Sequence, residues 1–229
     1  MVNLKDTKIY KLMKRIFFTL LYRLQMYRKG DGRVYYFSKW IADKGDSNLL
    51  FDYSINDKSL VVDIGGYKGF FSDKIISLYN PTIFIVEPVK EYFLILKNKY
   101  KNNKKVGVFN YGLSDKNGTQ NIYLSDDGTS LIKKTGQSEK IKLVDAAIFL
   151  RKFKSIDLLS VNIEGAEYQV LERLIKTDLI KRVQFLQVQF HEFAPHAKNL
   201  RKRIIKKILK THRVRFSYPF VWESFELKK

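Results

Sequence analysis

Short runs of apolar, mostly β-branched residues alternate along this chain with longer stretches in which apolar side chains recur every three or four positions, the pattern of strands interleaved with helices. The sheet is expected to begin at about Leu60, with a run that passes through Val61, Val62, Asp63 and Ile64 into the glycine turn Gly65-Gly66-Tyr67-Lys68-Gly69. The spacing then predicts a helix over 70–79, a strand at Thr82–Val86, a helix from about 89 to 101 and a strand at Val106–Phe109, a β-α-β-α-β order. Thr119–Ser125 and Lys140–Val144 alternate polar and apolar positions on either side of the turn-forming Asp126-Asp127-Gly128, which reads as an antiparallel β insertion. The sheet resumes at Ile156 and runs to Gly165, followed by a helix from near Ala166 with Val170, Leu171, Leu174 and Ile175 on one face. A strand at Phe185–Phe190, a helix over 196–210 and two closing strands at about 212–218 and 221–227, joined at Tyr218-Pro219, complete the pattern. The helix over 196–210 is expected to turn Leu200, Ile204, Ile205, Ile208 and Leu209 inward and Arg201, Lys202, Arg203, Lys206, Lys207 and Lys210 outward.

Ahead of the sheet, residues 7–28 and Tyr35–Ala42 read as helices, with a polar turn at Lys44–Ser47. The first is basic and amphipathic, with Lys8, Lys11, Lys14, Arg15, Arg23, Arg28 and Lys29 around the apolar run Ile16–Tyr22. That run is far shorter than the roughly 20 residues of a membrane span. Arg23 follows it at once and no small-residue cleavage site is present, so a signal peptide is not expected. Two placements stay open for this helix: on an anionic membrane surface, or packed by its apolar side on the domain or on a second subunit. Residues 1–57 are thus read as a basic helical extension and 58–229 as one globular domain, since 229 residues accommodate one α/β domain and not two.

A hydrophobic content of 45% with 29% charged residues describes a globular chain rather than a disordered one. The lack of cysteine excludes disulfides, thiolate nucleophiles and cysteine-based zinc sites. It is compatible with a reducing compartment, so the expected location is cytoplasmic, peripheral on the membrane face where the N-terminal helix meets lipid. A net charge of +20 spreads a positive field over the surface and makes nucleic acid, an anionic membrane and an acidic glycan candidate partners.

The candidate chemistry sits where the strands end. Gly65 and Gly66 can take backbone angles closed to other residues and let a ligand lie against the main chain, and Gly69 permits close approach of the following helix. A phosphate-binding loop would call for Lys-Ser/Thr or a G-x-G-x-x-G spacing, whereas Asp63 would repel a pyrophosphate and suits a cationic ligand such as S-adenosylmethionine. The plainer alternative is a tight turn in which Asp63 caps the helix. The second strand also ends on an acid, Glu87, followed by Pro88. It lies about 20 residues beyond the glycine turn, where a carboxylate accepts the two ribose hydroxyls of an adenosine.

Val61–Gly69, Val86-Glu87-Pro88, Gly112-Leu113-Ser114-Asp115 and Ile163-Glu164-Gly165-Ala166-Glu167 follow one another in the order and spacing of the FkbM-type methyltransferases. Gln189–Phe193 and Phe220–Glu223 are similar to the closing segments of that group, and the resemblance covers about residues 58–227. It implies an α/β fold: a seven-stranded, mostly parallel, Rossmann-like methyltransferase sheet with its last strand antiparallel. It also implies S-adenosylmethionine as cofactor and methyl transfer to a hydroxyl, often on a sugar of a surface glycan or glycosylated metabolite. Carried onto this chain, it places Asp63, Gly65, Gly66 and Gly69 around the methionine part of the cofactor, Glu87 on its ribose, and Gly112 and Leu113 near its adenine, with Tyr67, Pro88 and Asn162 completing the pocket. The chain departs from the family at Ser160-Val161-Asn162-Ile163-Glu164-Gly165, where the usual pattern is Lys-x-Asp-x-Glu-Gly, and at Tyr67, where Asn is common.

Removal of the proton from a sugar hydroxyl calls for a base, worth roughly 10²–10⁴-fold in rate. His191 is favoured, with a reference pKa near 6.5, and Glu164 is a second base or an orienting group; Glu192 is the weaker candidate. Structural alternatives are a helix-starting acid for Glu164 and a strand-end histidine satisfied by backbone for His191. Asn162, Glu164 and His191 do not have a ligand spacing and His191 and His196 are not a helical pair, so no metal is expected. Two rival functions are carried: a nucleic-acid methyltransferase, suggested by the charge but lacking the Asn/Asp-Pro-Pro-aromatic motif, and a non-catalytic protein of the same fold in a membrane-associated glycan assembly complex. Asn162 keeps the second alive.

Overall fold

The computed structural model describes residues 32–125, 128–130 and 137–229; the expected helix over 7–28 and the Asp126-Asp127 turn lie outside them. Helices α1 (Gly32–Ala42) and α2 (Gly45–Asn48) precede β1 (Leu60–Ile64), α3 (Phe70–Tyr79), β2 (Thr82–Val86), α4 (Lys90–Tyr100) and β3 (Val106–Phe109). After β4 (Gly112–Ser114), β5 (Gly118–Ser125), β6 (Gly128–Ser130) and β7 (Gln137–Asp145) come α5 (Ala146–Leu150), β8 (Ile156–Val161) and α6 (Glu167–Lys176). A 3-10 turn at Leu179–Arg182, then β9 (Val183–Val188), α7 (Ala197–Ile208), β10 (His212–Tyr218) and β11 (Trp222–Leu227) close the chain.

Seven strands form one sheet in the order β10-β11-β9-β8-β1-β2-β3. The five strands from β9 to β3 are parallel, while β11 runs antiparallel to both β9 and β10, so the last strand of the chain is the reversed one. The apolar strands are buried on both faces, as parallel strands covered by helices must be. Ile75 of α3 and Leu96 of α4 pack on one face with Val61, Ile83, Ile85 and Leu158. Phe149 of α5, Leu171 and Leu174 of α6 and Ile204 and Ile208 of α7 pack on the other with Val62, Ile64, Leu159, Val161 and Leu186. Trp40, Leu50, Phe51, Tyr53 and Ile55 belong to the first of these cores, so α1 and the segment after it are built onto the sheet; Trp40 meets Phe216 and Tyr218 of β10.

The β insertion is a separate four-stranded sheet in the order β4-β7-β5-β6, with β5 antiparallel to β7 and β6 and with β4 parallel to β7. Three local expectations change. The polar turn at Lys44–Ser47 is the short helix α2, whose Asp46 accepts the indole N–H of Trp40 (3.0 Å). Leu209 follows the end of α7 and is exposed, because the helix stops at Ile208 and no longer directs that position inward. Arg201, expected outward, forks onto Glu223 of β11 through two 2.6 Å bonds, with Glu223 only 1% exposed. Among the described residues no helix is long and apolar enough to cross a membrane.

Candidate active site

β1, β2 and β8 end side by side and are tied there by backbone bonds. The N–H of Gly65 donates to the carbonyl of Val86 (2.9 Å) and that of Asn162 to the carbonyl of Ile64 (3.0 Å). Gly65 has φ 93°, and a Cβ at that position would stand 2.0 Å from the carbonyl oxygen of Asn162, so only glycine lets the first and fourth parallel strands close this edge. Gly69 caps α3 with φ 90°. A Cβ on Gly66 would meet Ile85 at 2.2 Å, which makes that glycine a packing requirement.

Above these strand ends lies a cavity of about 230 Å³. Of the residues expected at the site, Gly65, Tyr67, Glu87, Pro88, Gly112, Leu113, Asn162 and Glu164 line it, while Asp63, Gly66, Gly69 and His191 do not. Successive side chains of a strand point to opposite faces, so with Ile64 on the cavity Asp63 turns away. There it is buried and accepts the Ser72 hydroxyl of α3 (2.6 Å). Burial pushes its carboxyl up to about 7, against the lowering effect of that bond.

Glu87 is held differently. It is 4% exposed, and its two oxygens accept one backbone N–H each, from Tyr67 (2.8 Å) and Val89 (2.9 Å). Burial raises it to about 7 although both amides pull the other way. Tyr67 makes its bond from the left-handed region, φ 46°, a conformation rare for an aromatic residue. Its ring meets Tyr92 edge to face at 4.5 Å, and both rings line the cavity.

The far wall comes from the insertion: Gln120 and Ile122 of β5 and Ile141 and Leu143 of β7. Sequence reasoning did not assign these residues to the pocket. Their two-residue spacing on each strand puts each pair on one face, which was the available signal.

At the end of β8 the chain passes through two left-handed residues, Glu164 (φ 50°) and Gly165 (φ 103°), before α6 begins. Glu164 lines the cavity, and behind it stands His191, whose Nε2 is 3.5 Å from Glu164 and whose Nδ1 is 3.3 Å from Glu167. Glu167 is fully buried and also accepts the backbone N–H groups of Gly165 (2.8 Å) and His191 (2.7 Å). Burial alone would lower the imidazole pKa; the two glutamates outweigh it and raise it to about 9. The expected histidine titrating near 6.5 is therefore replaced by an imidazolium at neutral pH, because two carboxylates distant in sequence converge on it.

The features fit an adenosine-bearing cationic cofactor. They include a fixed carboxylate at the end of β2, an apolar slot between Pro88, Leu113 and the insertion, glycine-limited close approach at Gly65, and the buried Oδ1 of Asn162, which has no partner among the described residues. Together with the sheet order these define a methyltransferase of the S-adenosylmethionine-dependent class. The sequence matches the family model of the methyltransferase FkbM domain over residues 63–218, and the chain belongs to that family. No curated protein sequence matches it. Its fold is similar to that of a protein from Clostridium thermocellum provisionally described as an rRNA methylase (TM-score 0.51, 11% identity, 82% of this chain and 96% of that one). Weaker similarities are to a provisionally described methyltransferase of Streptococcus mutans in complex with SAH (0.48, 10%, 76% and 91%) and to Aeropyrum pernix fibrillarin with bound S-adenosyl-L-methionine (0.45, 9%, 76% and 67%).

Proposed function

We propose that this chain is an O-methyltransferase that transfers the methyl group of S-adenosylmethionine to a hydroxyl of a sugar, in a surface glycan or a glycosylated metabolite. The observation that supports this reading is the Glu164 carboxylate, set on the cavity wall beside the strand ends that hold the cofactor pocket. The cofactor brings a methyl already activated on a sulfonium. The residues of the chain are left to orient the acceptor, exclude water and receive the hydroxyl proton. Glu87 and Asn162 hold the cofactor, with Gly65, Tyr67, Pro88, Gly112 and Leu113 shaping its pocket. Asp63, Gly66 and Gly69 act on it from behind the wall by fixing the turn and the start of α3. Glu164 takes the proton, and the His191 imidazolium, tied back to Glu167, orients Glu164 and offsets its charge before transfer. No metal ion is called for in this scheme.

The test is transfer of labelled methyl to extracts of surface polysaccharide, lipid-linked sugars and RNA, with cofactor affinity measured separately. Label in a glycan, lost by roughly 10²–10⁴-fold in Glu164→Gln at unchanged cofactor affinity, is the expected result. Full turnover by Glu164→Gln would remove Glu164 from the chemistry. Label confined to RNA would favour a nucleic-acid methyltransferase, and tight cofactor binding with no transfer at all a non-catalytic role.

A further inference from the structure

The connection from β9 to α7 runs over the same sheet edge as Glu164, and it carries an aromatic ring with no place in the core. Phe193 is 40% exposed, yet its ring lies 5.1 Å from the imidazole of His191, tilted by 42°. His191 is in turn 3.5 Å from the Glu164 carboxylate on the cavity wall. The imidazole is thus the common neighbour of a cavity carboxylate and a solvent-facing phenyl ring. The anchoring beneath is firm: Tyr168 donates its hydroxyl to the carbonyl of His191 (2.7 Å), and Glu167 holds the amide of the same residue. The half-exposed ring, two residues along the chain from this anchor, offers a flat apolar face, and it adjoins the imidazole that stands beside the Glu164 carboxylate.

We propose that Phe193 is the platform of the acceptor subsite, and that it takes the C–H face of an uncharged sugar ring whose hydroxyls reach Glu164. The inference rests on the reading of the chain as a sugar O-methyltransferase and adds the residue that binds the acceptor and the charge class of that acceptor. A pyranose has an apolar face of C–H groups that packs on an aromatic ring, and a rim of hydroxyls that donate to carboxylates. Glu164 and Glu167 together outnumber the single cation His191 in this cluster. A phosphodiester or sugar phosphate brought to this point would meet a net negative group, in spite of the +20 of the whole chain. Nucleic acid could stack a base on the same ring, but its phosphates would be opposed there.

The experiment uses the full chain saturated with S-adenosylhomocysteine for binding, or with labelled S-adenosylmethionine for transfer. The probes are a panel of methyl glycopyranosides, the corresponding sugar phosphates and a short single-stranded RNA. Saturation-transfer NMR reports ligand contact, calorimetry reports cofactor affinity, and KM and kcat are measured on any glycoside methylated. The expected result is binding of uncharged glycosides in preference to sugar phosphates and RNA. Phe193→Ala should raise KM or Kd for the glycoside at least about tenfold, with cofactor affinity unchanged and with recovery in Phe193→Trp. If glycosides are methylated and Phe193→Ala leaves KM and Kd unaltered, the subsite is wrong while the sugar methyltransferase reading stands. If the phosphates or RNA bind better than the glycosides, or if no glycoside is bound or methylated, the acceptor class falls and the subsite with it.

Discussion

Raising the pH across the titration of His191 probes the charge cluster behind the cavity. In the unfolded chain the imidazole titrates at 6.5; in the fold, the two glutamates overcome the effect of burial and hold it at about 9. A folded pKa above the unfolded one means that folding favours the protonated form. The stabilisation is complete below 6.5 and is lost as the pH rises through 9. At about 1.4 kcal/mol for each pH unit, the gap corresponds to at most roughly 3.5 kcal/mol. Other groups occupy different windows. Asp63 and Glu87, both raised to about 7, favour folding by the same sign but complete their loss near that pH. His212, lowered by burial, loses its contribution as the pH falls through 6.5, so it is constant on the alkaline side. Urea unfolding of the wild type and of His191→Gln at several pH values between 6 and about 9.5 isolates the imidazole with its two glutamate partners, because the groups that do not touch it cancel in the difference. The wild-type advantage should shrink across that interval, and NMR of the ring should show titration well above the ordinary histidine range. An imidazole that titrates at or below 6.5, or a difference independent of pH, would refute the assignment of His191 as a resting cation.

Three further outcomes follow from the same geometry. Glu87→Ala removes the acceptor for the Tyr67 and Val89 amides and, on the proposed reading, for the two ribose hydroxyls; it should weaken cofactor binding at least about 100-fold by calorimetry, two hydrogen bonds to a carboxylate being worth roughly 3 kcal/mol or more, and unchanged affinity would sink the cofactor assignment. Asn162→Asp places a negative charge on a residue of the cavity wall whose buried Oδ1 has no partner among the described residues, and should improve binding of the sulfonium cofactor relative to its neutral product by roughly tenfold. Equal effects on the two ligands would show that Asn162 does not sense the charge. Arg201→Ala strands the buried Glu223 carboxylate and should cost about 3–5 kcal/mol in urea unfolding; a loss below about 1 kcal/mol would contradict the bonding described for that pair.

Much of the parallel sheet was legible because its strands and helices are written in local periodicities. Val61, Val62 and Ile64 are β-branched and cluster in a run too short for a helix, and the glycine that follows must be glycine because of φ 93° and the carbonyl of Asn162. The two acids at the strand ends show the limit of that reading. Asp63 and Glu87 carry the same chemistry near the ends of adjacent strands, Asp63 inside β1 and Glu87 just past β2, yet one faces Ser72 behind the sheet and the other lines the pocket. The difference lies in strand register and in which backbone amides converge on each carboxylate. Arg201 was placed outward because helical periodicity names the faces of a helix and not its partners; Glu223, 22 residues later on β11, draws it in.

The sequence by itself determined the strand and helix periods, the glycine turn and the strand-end acid Glu87, since each depends on residues within a few positions of one another, and the family pattern, since that depends on the order and spacing of such local blocks. Only the tertiary structure decided that β5 and β7 supply the far wall of the cavity and that Asp63 stands outside it. It also decided that two carboxylates close on His191 and raise its pKa to about 9. That last property arises because Glu164 and Glu167, which lie 27 and 24 residues earlier in the chain, come within 3.5 and 3.3 Å of the ring, and electrostatic environment depends on distance in space, not on separation along the sequence.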